Sequence, residues 1–270
     1  MMMRLNSSLF NIPFVNNVLY YDTIGSTNDR AKELARRGSV HGTLVVGRSQ
    51  TNGKGRLGRS FDSKTHEGLY FSLMLRPDVA PTHLSGLTLV AALAVSKTID
   101  ELCQVKTSIK WPNDIYLNGK KLVGILTEAG PGYVVVGIGI NANTPCFSED
   151  LSHYATSILL ETGCETDKSQ LLEKLLYKLN LLYDNFVCSN DLSFMVDEYN
   201  NALGSLNQEV FIIPQQHSLN TSNPSNIDTR GLTPYICLGI NQEGNLICKD
   251  PQGNIHYVNT GEVSLRQKAN

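Results

Sequence analysis

The stretch Gly53-Lys54-Gly55-Arg56-Leu57-Gly58-Arg59 sets three glycines and three cations within seven residues. Glycines let backbone N–H groups come close to a ligand, and cations compensate negative charge. The segment therefore suits a phosphate or a carboxylate. It also satisfies G-x-G-x-x-G, but a dinucleotide site needs a helix directly after the glycines. Here a β-like run at 43–48 precedes, residues 60–68 are polar, and a second β-like run at 69–75 follows. The chemistry expected is anion binding by a cationic loop between two strands.

A second dense cluster is Lys110-Trp111-Pro112-Asn113-Asp114. Pro112 imposes an extended or turn conformation on the residue before it. Asn113 and Asp114 then fall in a turn between strands, where Asp114 could hold a divalent cation together with phosphates. The plainer alternative is an Asx-turn beside a surface tryptophan. Lys121 follows seven residues after Asp114, across a hairpin turn. Taken alone, a lysine there is ordinarily solvated. Residues 137–143 close another strand with two glycines and two asparagines. Such residues permit close backbone approach and hydrogen bonds to a ribose or base, but they equally make a simple turn.

These residues need a scaffold, and the apolar pattern supplies one. A short β-like segment ends at Tyr20-Tyr21. Ser26 with Asp29 three residues on is a helix start, and the helix should run over 27–37 until Gly38. Leu84, Leu87, Ala91, Ala94, Val95, Ile99 and Leu102 recur at helical spacing, as do Leu171, Leu172, Leu175, Leu176, Leu179, Leu182 and Phe186. A third helix is expected over 192–199. Residues 106–111 and 133–140 read as strands, and Asn118-Gly119 joins 115–117 to 122–126 as a hairpin. Past Gly204 the chain becomes short β-runs at 210–213, 235–240, 246–248 and 255–258, with turns at 243–245 and 250–253. That pattern suggests a small β-barrel carrying a mobile insertion at 217–229.

The chain has 270 residues, a net charge of −2 and 41% hydrophobic content. The length fits one large domain, or a large and a small one, and the composition supports a proper core. A nucleic-acid binder usually shows a basic domain, and this chain does not. Six cysteines, at 103, 146, 164, 188, 237 and 248, show no C-x-x-C and no zinc spacing, as expected of reduced cytosolic thiols. No apolar run marks a signal peptide or a membrane span, so a cytoplasmic location is expected.

The combination is more specific than its parts. Ser26-Thr27-Asn28, the loop from Gln50 to Arg59, Lys110 to Asp114, 120–126, Gly137 to Asn141, Ala155-Thr156-Ser157-Ile158 and 261–266 occur in this order. Together, from Tyr20 to Arg266, they resemble the biotin protein ligases. The resemblance implies an α+β chain. A mixed sheet with helices, of the class II tRNA synthetase kind, would form the catalytic domain over 20–204. It would follow an N-terminal segment at 1–19 and precede a small SH3-like β-barrel at 205–270. It implies two steps. Biotin's carboxylate attacks the α-phosphate of ATP, giving biotinyl-5′-AMP, and a lysine of a biotin carboxyl carrier domain then takes the biotin.

On this resemblance, Ser26, Thr27, Asn28, Gln50, Lys54, Gly55, Arg56 and Lys121 would bind biotin. Arg56, Arg59, Trp111, Asn113, Asp114 and Asn141 would bind ATP or the adenylate, with Mg²⁺ at Asp114. Lys121 and Arg56 would carry the catalysis. The family loop usually reads G-R-G-R-x-G-R, and Lys54 replaces the first arginine here, which keeps the charge and loses the planar fork. Only about twenty residues precede the first motif, too few for a DNA-reading module, so a monofunctional ligase without nucleic-acid or membrane partners is expected. A sheet edge would serve acceptor docking or homodimerisation equally. Two rivals stand beside this reading: a lipoate or octanoate ligase, and a non-catalytic biotin-responsive regulator.

Overall fold

The computed structural model describes residues 11–213, 232–259 and 262–265; the insertion expected at 217–229 and both Gly261 and Arg266 of the closing motif lie outside them. A seven-stranded mixed sheet forms the larger layer. Its strands are β1 (Asn17–Ile24), β2 (Thr43–Gln50), β3 (Leu69–Leu75), β4 (Ser108–Lys110), β5 (Asp114–Leu117), β6 (Lys120–Gly130) and β7 (Tyr133–Ile140), in the spatial order β1-β2-β3-β7-β6-β5-β4. Only β1 and β2 run parallel; every other neighbouring pair in the sheet is antiparallel. The glycine-rich segment does join two antiparallel strands, β2 and β3.

The central strands are continuous apolar runs because both faces are covered. Helix α1 (Thr27–Arg36) lies on one face, where Ala31 and Ala35 pack with Val45, Met74, Tyr133 and Val135. The alternate strand residues Leu44, Val46, Leu73, Leu75, Val134 and Val136 point to the other face, into a larger core. That core is filled from α2 (Gly86–Cys103) and from two helices further along the chain. Two short helices, α3 (Glu149–Ser152) and α4 (Ile158–Thr162), precede α5 (Lys168–Ser189), and α6 (Val196–Ala202) completes this part. Helices α5 and α6 place Leu171, Leu172, Leu175, Leu176, Phe186 and Tyr199 in the same core as α2.

The hairpin at Asn118-Gly119 has φ of 50° and 79° at those two residues, the left-handed pair that a two-residue hairpin turn requires. The strand expected at 106–111 is shorter, at Ser108–Lys110, and a turn at 111–113 follows it directly. The segment expected as a helix at 192–199 is a 3₁₀ turn, Ser193–Met195, followed by α6. Before β1, Ile12, Phe14 and Val15 are already buried in the main core.

Strands β8 (Glu209–Ile213), β9 (Pro234–Ile240), β10 (Leu246–Lys249), β11 (Ile255–Val258) and β12 (Glu262–Leu265) form a second, antiparallel sheet in the order β11-β10-β9-β8-β12. Where a small β-barrel is expected after Gly204, the described residues form a five-stranded antiparallel sheet whose outermost strands, β11 and β12, are not paired with each other. It is welded to the first: Val210, Cys237, Ile240, Leu246 and Cys248 share one apolar cluster with Trp111 and Tyr199. The Trp111 indole donates to the Gly244 carbonyl at 3.1 Å, and the Ile240 amide donates to Asn200 Oδ1 at 2.8 Å. Trp111 is only 3% exposed, so the surface tryptophan of the plain Asx-turn alternative is not what forms. All six cysteines are free thiols. No helix among the described residues is long and apolar enough to cross a membrane.

Candidate active site

The site begins where the α1 face of the sheet changes character. Beneath the helix the residues are bulky: Val45, Met74 and Val135. One step further along each strand stand Gly47, Ser72 and Gly137, and beyond them Gly139 pairs with Gly124. The result is a trough floored by backbone at the N-terminal end of α1. A Cβ on Gly137 would lie 1.9 Å from Asn28 Oδ1, and one on Gly139 would lie 2.7 Å from the Phe61 ring. Both glycines are therefore required by close approach of a side chain from above.

At one end of the trough the first turn of α1 meets β2. Ser26 is the N-cap, its Oγ accepting from the Asp29 amide at 3.4 Å. Gln50 Oε1 accepts from the Thr27 amide at 2.8 Å and from Thr27 Oγ1 at 3.0 Å, while Gln50 Nε2 donates to Ser63 Oγ at 3.1 Å. Asn28 Nδ2 donates to the Leu126 carbonyl at 3.2 Å and to Glu128 Oε2 at 2.9 Å, and Ser72 Oγ lies 2.5 Å from Asn28 Oδ1. Ser26, Thr27, Asn28, Gln50, Ser63 and Ser72 are all buried. Buried neutral polar groups survive only when hydrogen-bonded, so this corner is a pre-set array of donors and acceptors.

At the other end is Lys121. The β5–β6 register slips by one residue between Ile115 and Tyr116, so that Tyr116 faces Lys121 while Ile115 faces Val123. A bulge of this kind re-aims a side chain. It brings Lys121 to the Gly124 side, where Lys121 Cε would lie 3.5 Å from a Cβ on Gly124, beside the Phe61 ring. Lys121 Nζ sits 2.8 Å from Asp114 Oδ1, with the two side chains 30% and 16% exposed. Its backbone is gripped by a passing segment: the Lys121 amide donates to Tyr154 O at 2.7 Å and its carbonyl accepts from the Thr156 amide at 2.9 Å. Asn141 ties the same region together, its amide side chain donating to Thr156 O at 3.0 Å.

The glycine loop crosses above. Arg56 donates to Asn113 Oδ1 at 2.8 Å, and Asn113 Nδ2 donates to Asp114 Oδ1 at 3.0 Å. Lys54 Nζ contacts both carboxylate oxygens of Asp29, at 2.8 and 2.7 Å. Burial alone would raise the Asp29 pKa, but hydrogen bonds from Lys54 and Lys32 outweigh it and the net shift is downward.

The structure thus gathers Ser26, Thr27, Asn28, Gln50, Lys54, Arg56, Asn113, Asp114 and Lys121 around one trough. Gly55 lies in the loop with them, its amide donating to Arg59 O at 2.7 Å. Trp111 differs: its ring is buried and its N–H is committed to Gly244. The residue-by-residue sequence reading did not pick out Phe61, Ser63, Ser72, Glu128 or the partner role of Asp29. The only signal for Phe61 and Ser63 is their place just after the loop. As to a metal, no group of three or more His, Cys, Asp or Glu side chains comes together among the described residues. Asp114 is a single carboxylate next to a lysine. That donor set fits a Mg²⁺ carried by nucleotide phosphates and not a resident all-protein site.

The mixed sheet with its helices matches the fold of biotin protein ligases of known structure. The structure of the biotin protein ligase from Aquifex aeolicus in complex with biotin and ATP superposes with a TM-score of 0.78 at 29% identity, covering 94% of this chain and 100% of that one. A model of the biotin/lipoate A/B protein ligase family matches residues 20–144. The chain is 39% identical over 178 residues to the bifunctional ligase/repressor BirA of Bacillus subtilis, covering 63% of this chain and 55% of that protein. It is 33% identical over 160 residues to the biotin--[acetyl-CoA-carboxylase] ligase of Mycobacterium tuberculosis, covering 57% of this chain and 59% of that protein. The chain belongs to the biotin/lipoate A/B protein ligase family. It spans little more than half the length of these curated relatives.

Proposed function

We propose that this protein is a biotin protein ligase. It activates biotin with ATP to biotinyl-5′-AMP and passes the biotin to a lysine of a biotin carboxyl carrier domain. The observation that carries the reading is the pairing of a neutral polar corner with a cationic end in one trough. Gln50, Thr27 and Ser63 suit a neutral ureido head, whereas Lys121 and Arg56 suit the two anions that must meet.

In the first step a carboxylate oxygen bonds to the α-phosphorus and pyrophosphate leaves. Two like-charged groups approach, so the barrier falls if a cation sits between them. Lys121 supplies that charge, oriented by Asp114. Arg56, on the overlying loop, forks onto the carboxylate or phosphate and holds the mixed anhydride. Ser26, Thr27, Asn28 and Gln50 fix the biotin ring, Asn28 through Glu128 and Leu126. Lys54 and Gly55 belong to the biotin-facing loop, and Arg59, Asn113, Asn141 and the turn at Trp111 to the nucleotide side. Asp114 would hold a Mg²⁺ together with the nucleotide phosphates, and the ion would supply positive charge to offset theirs. In the second step the carrier lysine attacks the acyl carbon and AMP leaves.

The neutral polar corner favours biotin, whose ureido group can exchange hydrogen bonds with it, over lipoate or octanoate, whose apolar tails offer none. Residues 20–204 act as the catalytic domain, 205–270 as an SH3-like barrel, and 1–19 as a leading segment. The edge strand β1 offers backbone to a carrier domain or to a second copy, whereas β4 is bridged at Ile109 to Leu203. The mild net charge and free thiols support a cytoplasmic enzyme without a nucleic-acid partner. The test is transfer: protein, Mg²⁺, ATP and a purified carrier domain are mixed with biotin, lipoate or octanoate. Mass addition to the carrier lysine with biotin alone is expected, and modification by lipoate or octanoate instead would overturn the reading.

A further inference from the structure

The glycine loop is a small hairpin of its own. Lys54 and Ser60 form an isolated antiparallel bridge, and Leu57 and Gly58 turn the tip with φ of 56° and 76°. Two clasps hold this hairpin over the trough. Arg56 reaches Asn113 on the turn between β4 and β5, and Lys54 reaches Asp29 in the first turn of α1. The second clasp does not end at Asp29. Lys32 lies 3.1 Å from Asp29 and 2.6 Å from Glu128, and Glu128 accepts from Asn28 at the edge of the trough.

We propose that Asp29 is a positioning residue, which through Lys54 latches the glycine loop onto α1 and so sets how long the adenylate is retained. The inference rests on the function proposed above. Its physical basis is the strength of the pair. Lys54 and Asp29 are 38% and 43% exposed, so their attraction is partly screened by water. A pair of that strength suits a loop that must open to admit substrates and close during chemistry. It also gives Lys54 a task that an arginine would perform equally well, since either cation can meet the Asp29 carboxylate.

Asp29→Asn keeps the shape of the side chain and removes its charge. It should release biotinyl-5′-AMP about three- to five-fold faster at low salt, the range expected of a half-exposed ion pair. The difference should shrink as salt approaches about 1 M, where the screening length falls to roughly 3 Å. Lys54→Gln should release the adenylate about as fast as Asp29→Asn, and Lys54→Arg should restore slower release than Lys54→Gln, because either cation can meet the Asp29 carboxylate. The double variant Asp29→Asn/Lys54→Gln should release no faster than either single variant, because both remove one interaction. Trypsin cleavage after Lys54, Arg56 or Arg59 reads loop opening without any substrate, and Asp29→Asn should be cut several-fold faster at low salt. Parent-like release and parent-like cleavage in Asp29→Asn would overturn the latch, as would additive effects in the double variant. If the parent protein formed no biotinyl-5′-AMP, the proposed function would fall, whereas the trypsin comparison would still decide the latch.

Discussion

Lys121 and Asp114 stand on neighbouring strands of one sheet, and their side chains meet at 2.8 Å because a one-residue slip in the β5–β6 register turns Lys121 toward the trough. The slip lies between Ile115 and Tyr116, one residue beyond Asp114. The cationic end of the site is therefore a product of strand register and not of a loop that happens to lie near.

That relationship predicts a graded loss. In Asp114→Asn the lysine keeps its charge but loses the carboxylate that orients it. Adenylation should fall by about 10-fold or more, less than the loss on removing the lysine itself. Pyrophosphate exchange at saturating biotin and ATP measures it. Unchanged exchange in Asp114→Asn would show that Lys121 needs no such partner.

Arg56 crosses to Asn113 from the loop that lies over the trough. If Arg56 retains the adenylate, Arg56→Gly should let biotinyl-5′-AMP escape and biotinylate bystander lysines. Asn113→Ala removes only the anchor and should leak less. A streptavidin blot of a mixed-protein reaction ranks the three proteins, and strict selectivity in Arg56→Gly would count against retention.

Gly137→Ala would bring a methyl group to 1.9 Å from Asn28 Oδ1. Asn28 would have to leave its bonds to Leu126 and Glu128, and overpacking of this kind costs about 1–3 kcal/mol. Biotin affinity should fall along with stability. Calorimetric titration with biotin and a urea melt should both register the change; an unaltered biotin Kd would separate Asn28 from the biotin corner.

Much of this frame was legible in the chain. Asn118-Gly119 makes the hairpin expected of it because both residues accept positive φ. The glycine loop joins two strands because residues 60–68 hold no helical pattern. What stayed hidden depends on contacts between distant residues. Ser72 and Glu128 reach the site only because β3, β6 and β7 pair in one register. The lengths of α3 and α4, four and five residues, are too short for a period to show. Nothing local to Trp111 says that its indole will bond to Gly244, 133 residues away.

That contact gives a further prediction about the two sheets. Trp111→Phe keeps an aromatic ring and deletes the N–H, leaving the Gly244 carbonyl without this donor. Stability should drop by about 1 kcal/mol, in the range of a single lost hydrogen bond. The loss should appear as a lower urea midpoint with an unchanged m-value, since both sheets share one core. Two separate unfolding transitions would show that the sheets are not coupled in this way.

On the proposed function, Lys121 supplies the charge where a biotin carboxylate meets the α-phosphate of ATP. Exchange of labelled pyrophosphate into ATP measures that step alone. Exchange should require biotin, should not be supported by octanoate, and should fall by about 10²–10³-fold in Lys121→Ala. Exchange that is absent from the parent protein, or near parental in Lys121→Ala, would contradict it.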